Sequence, residues 1–167
     1  MSNRTRYLTH AAIIAALYAV LTHMQNILLP NSASMAIQFR ISEALCVLAL
    51  FTPAAIPGLS VGCMLFNLSF AGALPLDWIL GTAATFFAAG TMWLTRKRTL
   101  KGYPLFAMLM PAVWNALLVG WELAVYIGGG FWINALYVAI GEAAVLLTLG
   151  SLLLATLKKR RLDTRLF

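Results

Sequence analysis

The sequence predicts an all-α integral membrane protein with six transmembrane helices, on the basis of its hydrophobicity, its scarcity of charge and the placement of its basic residues. Of the 167 residues, 62% are hydrophobic and only 10% are charged, whereas soluble domains average about 25% charged residues. A bilayer core of about 30 Å takes about 20 apolar residues per helix, so five or six spans fit in this length. No segment is long and polar enough for a separate soluble domain, and residues 1–167 are therefore predicted to form one transmembrane domain.

Turn-forming residues divide the chain into these spans. The first span follows Arg4 and Arg6 and ends before the polar residues around Pro30. Because no small-residue cleavage site follows it, we interpret this span as a retained helix and not as a signal peptide. Pro53 separates a short second span from the third, and the glycine triplet at 128–130 separates the fifth from the sixth. The six predicted spans cover residues 5–28, 41–51, 54–71, 76–94, 104–127 and 131–157.

The basic residues favour six spans over five. Six spans place both termini on one side, and eleven of the twelve basic residues then lie on that side, which the positive-inside rule makes cytoplasmic. Only Arg40 lies outside, whereas five spans would divide the basic clusters between the two sides. Basic residues confined to segment ends indicate topology, so the net charge of +7 does not predict nucleic-acid binding. Cys46 and Cys63 lack metal-ligand spacing, and no metal or cofactor is predicted.

Four acidic residues fall in the outer half of the predicted bundle. Glu43 and Asp77 begin the second and fourth spans, while Glu122 and Glu142 lie about 7–8 Å and about 15 Å from the outer end. A mid-bilayer charge costs about 2.5–3.5 kcal/mol and usually faces a bundle interior or a wet cavity. Structural alternatives stay open for all four acids. Glu122 and Glu142 could be protonated or paired with a neighbouring helix. Glu43 could pair with Arg40, and Asp77 could act as a helix N-cap.

Amide and indole side chains accompany these carboxylates. Asn115 shares a helix face with Glu122, and Asn134 lies within about 80° of Glu142. A carboxylate accepts two parallel donors and an indole stacks on a flat ring, so the set predicts an outward-opening pocket for a small donor-rich ligand, planar and in one form cationic. For each tryptophan the alternative is interfacial anchoring. The candidate ligand-binding residues are Glu142, Glu122, Asn115, Asn67, Gln38, Asn134, Trp114, Trp121 and Trp132, and the candidate lid or structural residues are Arg40, Glu43 and Asp77.

A row of small residues runs along the first span. Ala11, Ala15 and Ala19 recur at intervals of four, and Ala12 and Ala16 lie beside them. Small residues at this spacing let helix backbones approach closely. The row predicts either a docking stripe for another membrane subunit or packing within the chain.

Several motifs resemble those of one family. Residues 38–45 read QFRISEAL and residues 51–59 read FTPAAIPGL, and the agreement extends over residues 5–157. The first motif is the most specific, and it resembles the signature of the QueT family, the substrate-binding components of energy-coupling factor (ECF) transporters assigned to queuosine precursors. The further matching positions are Gly62, Cys63, Asn67, Asp77, Gly81, Thr82, Thr85, 115–120, Gly141 and Glu142.

The resemblance implies an ECF-type bundle of six helices in a prokaryotic plasma membrane, with both termini cytoplasmic. The loop between the first two helices would cover the site, the alanine row would dock on a transmembrane coupling subunit, and two ATPase subunits would complete the complex. The expected ligand is a 7-deazaguanine such as queuine or prequeuosine. Our hypothesis for the residues is that Glu142 accepts its ring N–H and exocyclic amine and that Asn115, Asn67 and Gln38 read the remaining ring atoms. Glu122 would instead bind a cationic side chain of the ligand, a role that rests on its position in the fifth span and not on the resemblance.

Two other classes of function stay open at this point. A proton-coupled secondary carrier would use the same intramembrane glutamates without partner subunits. A small membrane enzyme is the other alternative, but His10 and His23 are thirteen residues apart on one span and do not form a metal-binding pair.

Overall fold

The computed structural model describes residues 3–30 and 39–161. Within these ranges all regular structure is helical, apart from one isolated β-bridge between Leu100 and Tyr103, which confirms the predicted all-α class. A single residue, Leu109, interrupts the helix at Leu105–Tyr126, and a π-helical segment at Leu146–Gly150 lies within the helix at Phe131–Lys159. The elements are α1 (Asn3–Leu28), a 3₁₀ helix (Ile41–Leu50), α2 (Ala55–Ser69), α3 (Asp77–Thr95), α4 (Leu105–Tyr126) and α5 (Phe131–Lys159).

Successive elements run in opposite directions. The 3₁₀ helix is antiparallel to α1, α2 is parallel to α1, and α3 is antiparallel to α2. Short connections at 96–104 and 127–130 then reverse the chain before α4 and before α5. The contacts that fix the first three directions are Gln25–Ile41 and Thr22–Ser42, then Gly58–Ala11 and Gly62–Ala15, then Asn67–Asp77 and Cys63–Gly81.

Among the described residues, three helices are long and apolar enough to cross a membrane, namely α1, α4 and α5. The 3₁₀ helix and α2 are apolar but shorter. At about 2.0 Å per residue, the ten residues of the 3₁₀ helix extend about 20 Å, less than a bilayer core of about 30 Å. Seven of these ten residues are buried, as is usual for a helix that is hydrophobic on all sides. The 3₁₀ helix therefore forms the centre of the bundle, in contact with α1, α2, α3 and α5.

The C-terminal part of the 3₁₀ helix belongs to the main hydrophobic core. Val47 and Leu48 lie there with Met108 of α4 and Leu146 of α5. A Cβ atom at Gly150 would come within 3.1 Å of the Met108 side chain and 3.3 Å of Val47. The glycine therefore lets α5 approach the central helix closely, at the end of the π-helical segment.

The α1–α2 seam explains part of the alanine row. A Cβ atom at Gly62 would lie 2.7 Å from both the Ala15 carbonyl oxygen and the Tyr18 Cβ, and one at Gly58 would lie 2.8 Å from the Ala11 carbonyl oxygen. The helices thus approach to backbone contact, as small residues permit. Packing against α2 explains Ala11 and Ala15. For the exposed Ala12 and Ala16, docking of another membrane subunit stays a prediction. Of this row, Ala15 is buried, Ala11 and Ala19 are partly buried, and Ala12 and Ala16 are exposed.

Candidate functional site

Buried polar side chains concentrate toward the end of the bundle at which the 3₁₀ helix and α3 begin. Such groups are costly to bury unless they are hydrogen-bonded, and buried charges are costlier still. Their bonding therefore distinguishes groups that hold the fold together from groups that are available to a ligand. Eight predicted polar site residues are at most 6% exposed, namely Arg40, Glu43, Asn67, Asp77, Asn115, Glu122, Asn134 and Glu142.

One set of these groups bonds the start of the 3₁₀ helix to α1. Tyr18, Thr22 and Gln25 recur every three or four residues and so share one helix face. The Thr22 hydroxyl donates to the Ser42 hydroxyl oxygen at 2.7 Å. The backbone N–H of Ile41 donates to the Gln25 side-chain oxygen at 2.7 Å. The Gln25 side-chain amide donates in turn to the Phe39 backbone carbonyl. This face of α1 thus fixes the residues that flank Arg40.

Glu43 is fully bonded within the same set. The Tyr18 hydroxyl donates to its Oε1 atom, and the Cys46 thiol donates to its Oε2 atom at 3.0 Å. Both carboxylate oxygens therefore have partners inside the protein, which supports a structural role for Glu43. We call this set the bonded cluster: Tyr18, Thr22, Gln25, Ser42, Glu43 and Cys46.

Arg40 is a buried cation near the acids of α4 and α5. Its Nη1 atom is 3.8 Å from the Cys63 Sγ atom, and its guanidinium carbon is 5.9 Å from the centroid of the Phe66 ring. The Arg40 charge acts electrostatically on Glu122 and on Glu142. The guanidinium is thus a common neighbour of acids from α4 and α5.

Asp77 organises the turn before α3. It is the first residue of the helix, and its Oδ2 atom accepts the Leu74 backbone N–H at 3.0 Å. The predicted N-cap interaction is absent at this described residue, because the N-cap position belongs to Leu76 and the Asp77 carboxylate bonds the preceding turn. The Asn67 amide donates to the Asp77 carbonyl at 2.8 Å and so joins α2 to α3.

A second set of buried groups is left without partners. Among the described residues, no hydrogen bond of normal geometry reaches Asn67 Oδ1, Asn115 Nδ2, either Glu122 oxygen or Glu142 Oε2. The Asp77 carboxyl group and the Leu76 backbone are the polar groups nearest to Glu122. Buried polar atoms in native structures are nearly always bonded to protein, to water or to a ligand. We call these four residues, Asn67, Asn115, Glu122 and Glu142, the unpartnered cluster.

The chemistry of the unpartnered cluster is asymmetric. Four of its five free atoms are oxygens that accept hydrogen bonds, and only Asn115 Nδ2 donates. Asn115 and Glu122 share one buried face of α4, which directs both toward the bundle interior. A complementary ligand presents several N–H donors and at least one acceptor.

The structure does not bring every predicted residue to this cluster. Trp121 and Trp132 are 48% and 80% exposed. Trp114 donates from its indole nitrogen to the Thr91 hydroxyl at 3.1 Å. Asn134 donates to the Gly128 and Gly130 carbonyl oxygens, at 2.7 Å and 2.9 Å, and so joins the first turn of α5 to the glycine turn. Gln38 lies outside the described residues.

Sequence reasoning missed most of the bonded cluster. The sequence pattern predicts no role for Tyr18, Thr22, Gln25 or Ser42, and for Cys46 it predicts only that the thiol binds no metal. The available signal was the spacing of three polar side chains on one face of an otherwise apolar helix, which indicates a polar partner across an interface.

Comparison with known proteins gives one match. The model of a protein family described as QueT transporter matches residues 8–159, a range that contains all residues of both clusters. No curated protein and no solved structure matches the chain.

Proposed function

Since this chain belongs to the QueT transporter family, we propose that it is the substrate-binding component of an ECF importer for a 7-deazaguanine precursor of queuosine. Membership and the three long apolar helices make it a membrane transporter component. The ECF assembly and the deazaguanine ligand are the proposed part.

The observation that carries this proposal is the unpartnered cluster. A deazaguanine presents a ring N–H and an exocyclic amine side by side, and a carboxylate accepts two parallel donors. In the proposed complex Glu142 accepts this edge, with its unpartnered Oε2 atom as one of the two acceptors. Asn115 Nδ2 donates to a ring acceptor, and Asn67 Oδ1 accepts from a remaining donor.

The alternating helix directions support the proposed topology of six crossings. In this proposed topology the basic ends of α1, α3 and α5 lie in the cytoplasm and the unpartnered cluster lies toward the outside, in agreement with the positive-inside rule. The exposed side of α1, with Ala12 and Ala16, is then the proposed surface for the coupling subunit. Two ATPase subunits supply the energy, and the chain itself holds the ligand.

Identification of the bound ligand tests this proposal most directly. The full chain is purified in mild detergent from cells grown with queuosine precursors, and the released small molecules are identified by mass spectrometry. We expect a 7-deazaguanine in near-stoichiometric amount, and its loss from the Glu142→Gln variant. A different class of molecule at full occupancy would refute the proposed substrate.

A proton-coupled carrier is the second candidate, because Glu122 and Glu142 are buried acids, and both Glu122 oxygens and Glu142 Oε2 form no hydrogen bond with the described residues. Reconstitution into vesicles separates the two. We expect uptake only with the coupling subunit, both ATPases and ATP. Uptake by this chain alone, driven by an imposed pH gradient, would support the carrier instead.

A further inference from the structure

Basic side chains concentrate on the connection between α3 and α4. Arg96, Lys97, Arg98 and Lys101 follow one another closely, and the last three are exposed. The four described acids lie in the half of the bundle where α3 begins. This connection follows the other end of α3, about 28 Å away at 1.5 Å per residue, so the described acids are too distant to pair with these cations. We call residues 96–104 the basic turn.

The basic turn contains a two-residue reversal of the chain. The Leu100 N–H donates to the Tyr103 carbonyl at 2.8 Å, and the Tyr103 N–H donates to the Leu100 carbonyl at 3.0 Å. Between them, Lys101 and Gly102 have φ angles of 51° and 81°, the signs that a type I′ turn requires. Asn, Asp or Gly is usual at the position of Lys101, because a positive φ is unfavourable for other side chains. The backbone of the turn therefore does not explain the lysine.

Contacts with the helices hold the basic turn at the edge of the membrane. The Tyr103 hydroxyl forms a hydrogen bond with the Ser151 hydroxyl of α5. The Arg96 guanidinium carbon lies 3.4 Å from the centroid of the Trp93 ring. Trp and Tyr are enriched at membrane–water interfaces, and the length of α3 is close to the thickness of a bilayer core. The cations of the basic turn are therefore at the depth of the lipid headgroups.

Apolar side chains are exposed on both sides of these cations. Leu94, Leu100 and Phe106 are 77%, 63% and 50% exposed. Leu100 belongs to the reversal itself and directly precedes Lys101 in the chain. The surface thus offers positive charge together with apolar area. A soluble anion would use only the charge, whereas a phospholipid uses both.

We propose that the basic turn binds an anionic phospholipid, with Lys97, Arg98 and Lys101 on its phosphate group and Leu100 against its acyl chains. Clusters of Lys and Arg beside a transmembrane helix attract anionic lipids. A zwitterionic phospholipid binds less tightly, because the same cations repel its ammonium group. Such a site needs only a bilayer around the chain, so it does not depend on the transported ligand or on partner subunits.

Native mass spectrometry of the full chain in mild detergent measures this binding. Dioleoyl phosphatidylglycerol is the anionic probe, and dioleoyl phosphatidylethanolamine, with identical acyl chains, is the zwitterionic one. The test variant is Lys97→Gln/Lys101→Asn, in which asparagine suits the positive φ at position 101. The matched control is Lys158→Gln/Lys159→Gln, which removes the same number of charges from the exposed end of α5. Thermal unfolding is recorded for every variant.

We expect the wild-type chain to bind phosphatidylglycerol about 10- to 30-fold more tightly than phosphatidylethanolamine. The test variant should lose most of this preference by weakening only phosphatidylglycerol, whereas the control should change it by less than about threefold. Lys101→Arg should keep the preference. Because asparagine tolerates the positive φ, the thermal stability of the test variant should not fall.

Equal affinity of the wild-type chain for the two lipids would overturn the proposal. Equal losses in the test variant and in the α5 control would also overturn it, because net charge and not the basic turn would then set the preference. Displacement of phosphatidylglycerol by excess inorganic phosphate would identify a site for soluble anions instead. If the double variant does not fold, Lys101→Asn alone decides: a loss of about 3- to 5-fold supports the site, and an unchanged affinity overturns it.

Discussion

The bonded and unpartnered clusters lie in the same half of the bundle, yet their carboxylates differ in hydrogen bonding. Glu43 receives a donor on each oxygen from Tyr18 and Cys46. Glu122, equally buried, receives none from the described residues. Both are glutamates at 0% exposure, so residue type and burial do not distinguish them. The difference lies in the donors that surround each carboxylate.

This difference separates stability from binding. Removing one partner from a bonded pair leaves a buried group unsatisfied and costs about 1–3 kcal/mol of folding free energy. Removing an unpartnered acid loses no internal bond and relieves a buried charge, so the fold is retained. Substitutions in the bonded cluster should therefore lower stability, and those in the unpartnered cluster should lower affinity.

The largest expected effect comes from Glu142→Gln. The glutamine places an N–H₂ group where an acceptor oxygen faces the ligand, so affinity for a 7-deazaguanine should fall about 100-fold by titration calorimetry. Thermal stability in detergent should be unchanged or higher. Glu43→Gln is the matched control, and we expect it to lower stability while affinity stays within about threefold. A loss of stability in Glu142→Gln together with a loss of affinity in Glu43→Gln would contradict the comparison between the two clusters.

Tyr18→Phe tests the bonded cluster without changing its packing. It deletes the hydroxyl that donates to Glu43 Oε1 and leaves that oxygen buried and unsatisfied. We expect a loss of about 1–3 kcal/mol in unfolding free energy, measured by denaturant titration in detergent micelles. Ligand affinity of the folded protein should change little. A loss of affinity comparable to that of Glu142→Gln would place Glu43 among the ligand-binding acids.

Thr22→Val should have a smaller effect of the same kind. The valine is nearly isosteric and removes both the bond to the Ser42 hydroxyl and the bond to the Tyr18 carbonyl one turn earlier, at an expected cost of about 0.5–1.5 kcal/mol. Thr9→Val is the matched control on the same helix, because the exposed Thr9 hydroxyl bonds only the Thr5 carbonyl one turn earlier. Equal effects of the two substitutions on unfolding would show that the α1 face does not hold the 3₁₀ helix through Thr22.

Much of the fold follows from local sequence signals. Pro53 ends the central helix near residue 50, and the glycine triplet adopts positive φ angles of 81° to 91° in the α4–α5 turn, as its lack of a side chain permits. The predicted fourth span at 76–94 corresponds to α3 at Asp77–Thr95. The 3₁₀ geometry of Ile41–Leu50 was not predicted, because an apolar run of ten residues has no local feature that distinguishes it from a short α-helix.

The site was only partly predictable for a related reason. Depth along each span placed the four acids in one half of the bundle, since depth depends only on counting residues from a helix end. Which oxygen meets which donor depends on helix rotation and on contacts between distant segments, such as Tyr18 with Glu43. The same limit applies to the tryptophans, whose hydrophobicity is compatible with either a pocket wall or the lipid-facing surface.

Trp132 gives the smallest and most discriminating effect. With 80% of its side chain exposed at the start of α5, it is placed as an aromatic side chain at the membrane–water interface, where tryptophan is common. Trp132→Leu should leave ligand affinity within about twofold. Trp114→Phe is the companion variant, because loss of its bond to Thr91 should cost about 0.5–1.5 kcal/mol of stability without a large change in affinity. A tenfold loss of affinity in Trp132→Leu would mean that Trp132 moves against the ligand on binding, and the ligand site would then extend beyond the unpartnered cluster to the start of α5.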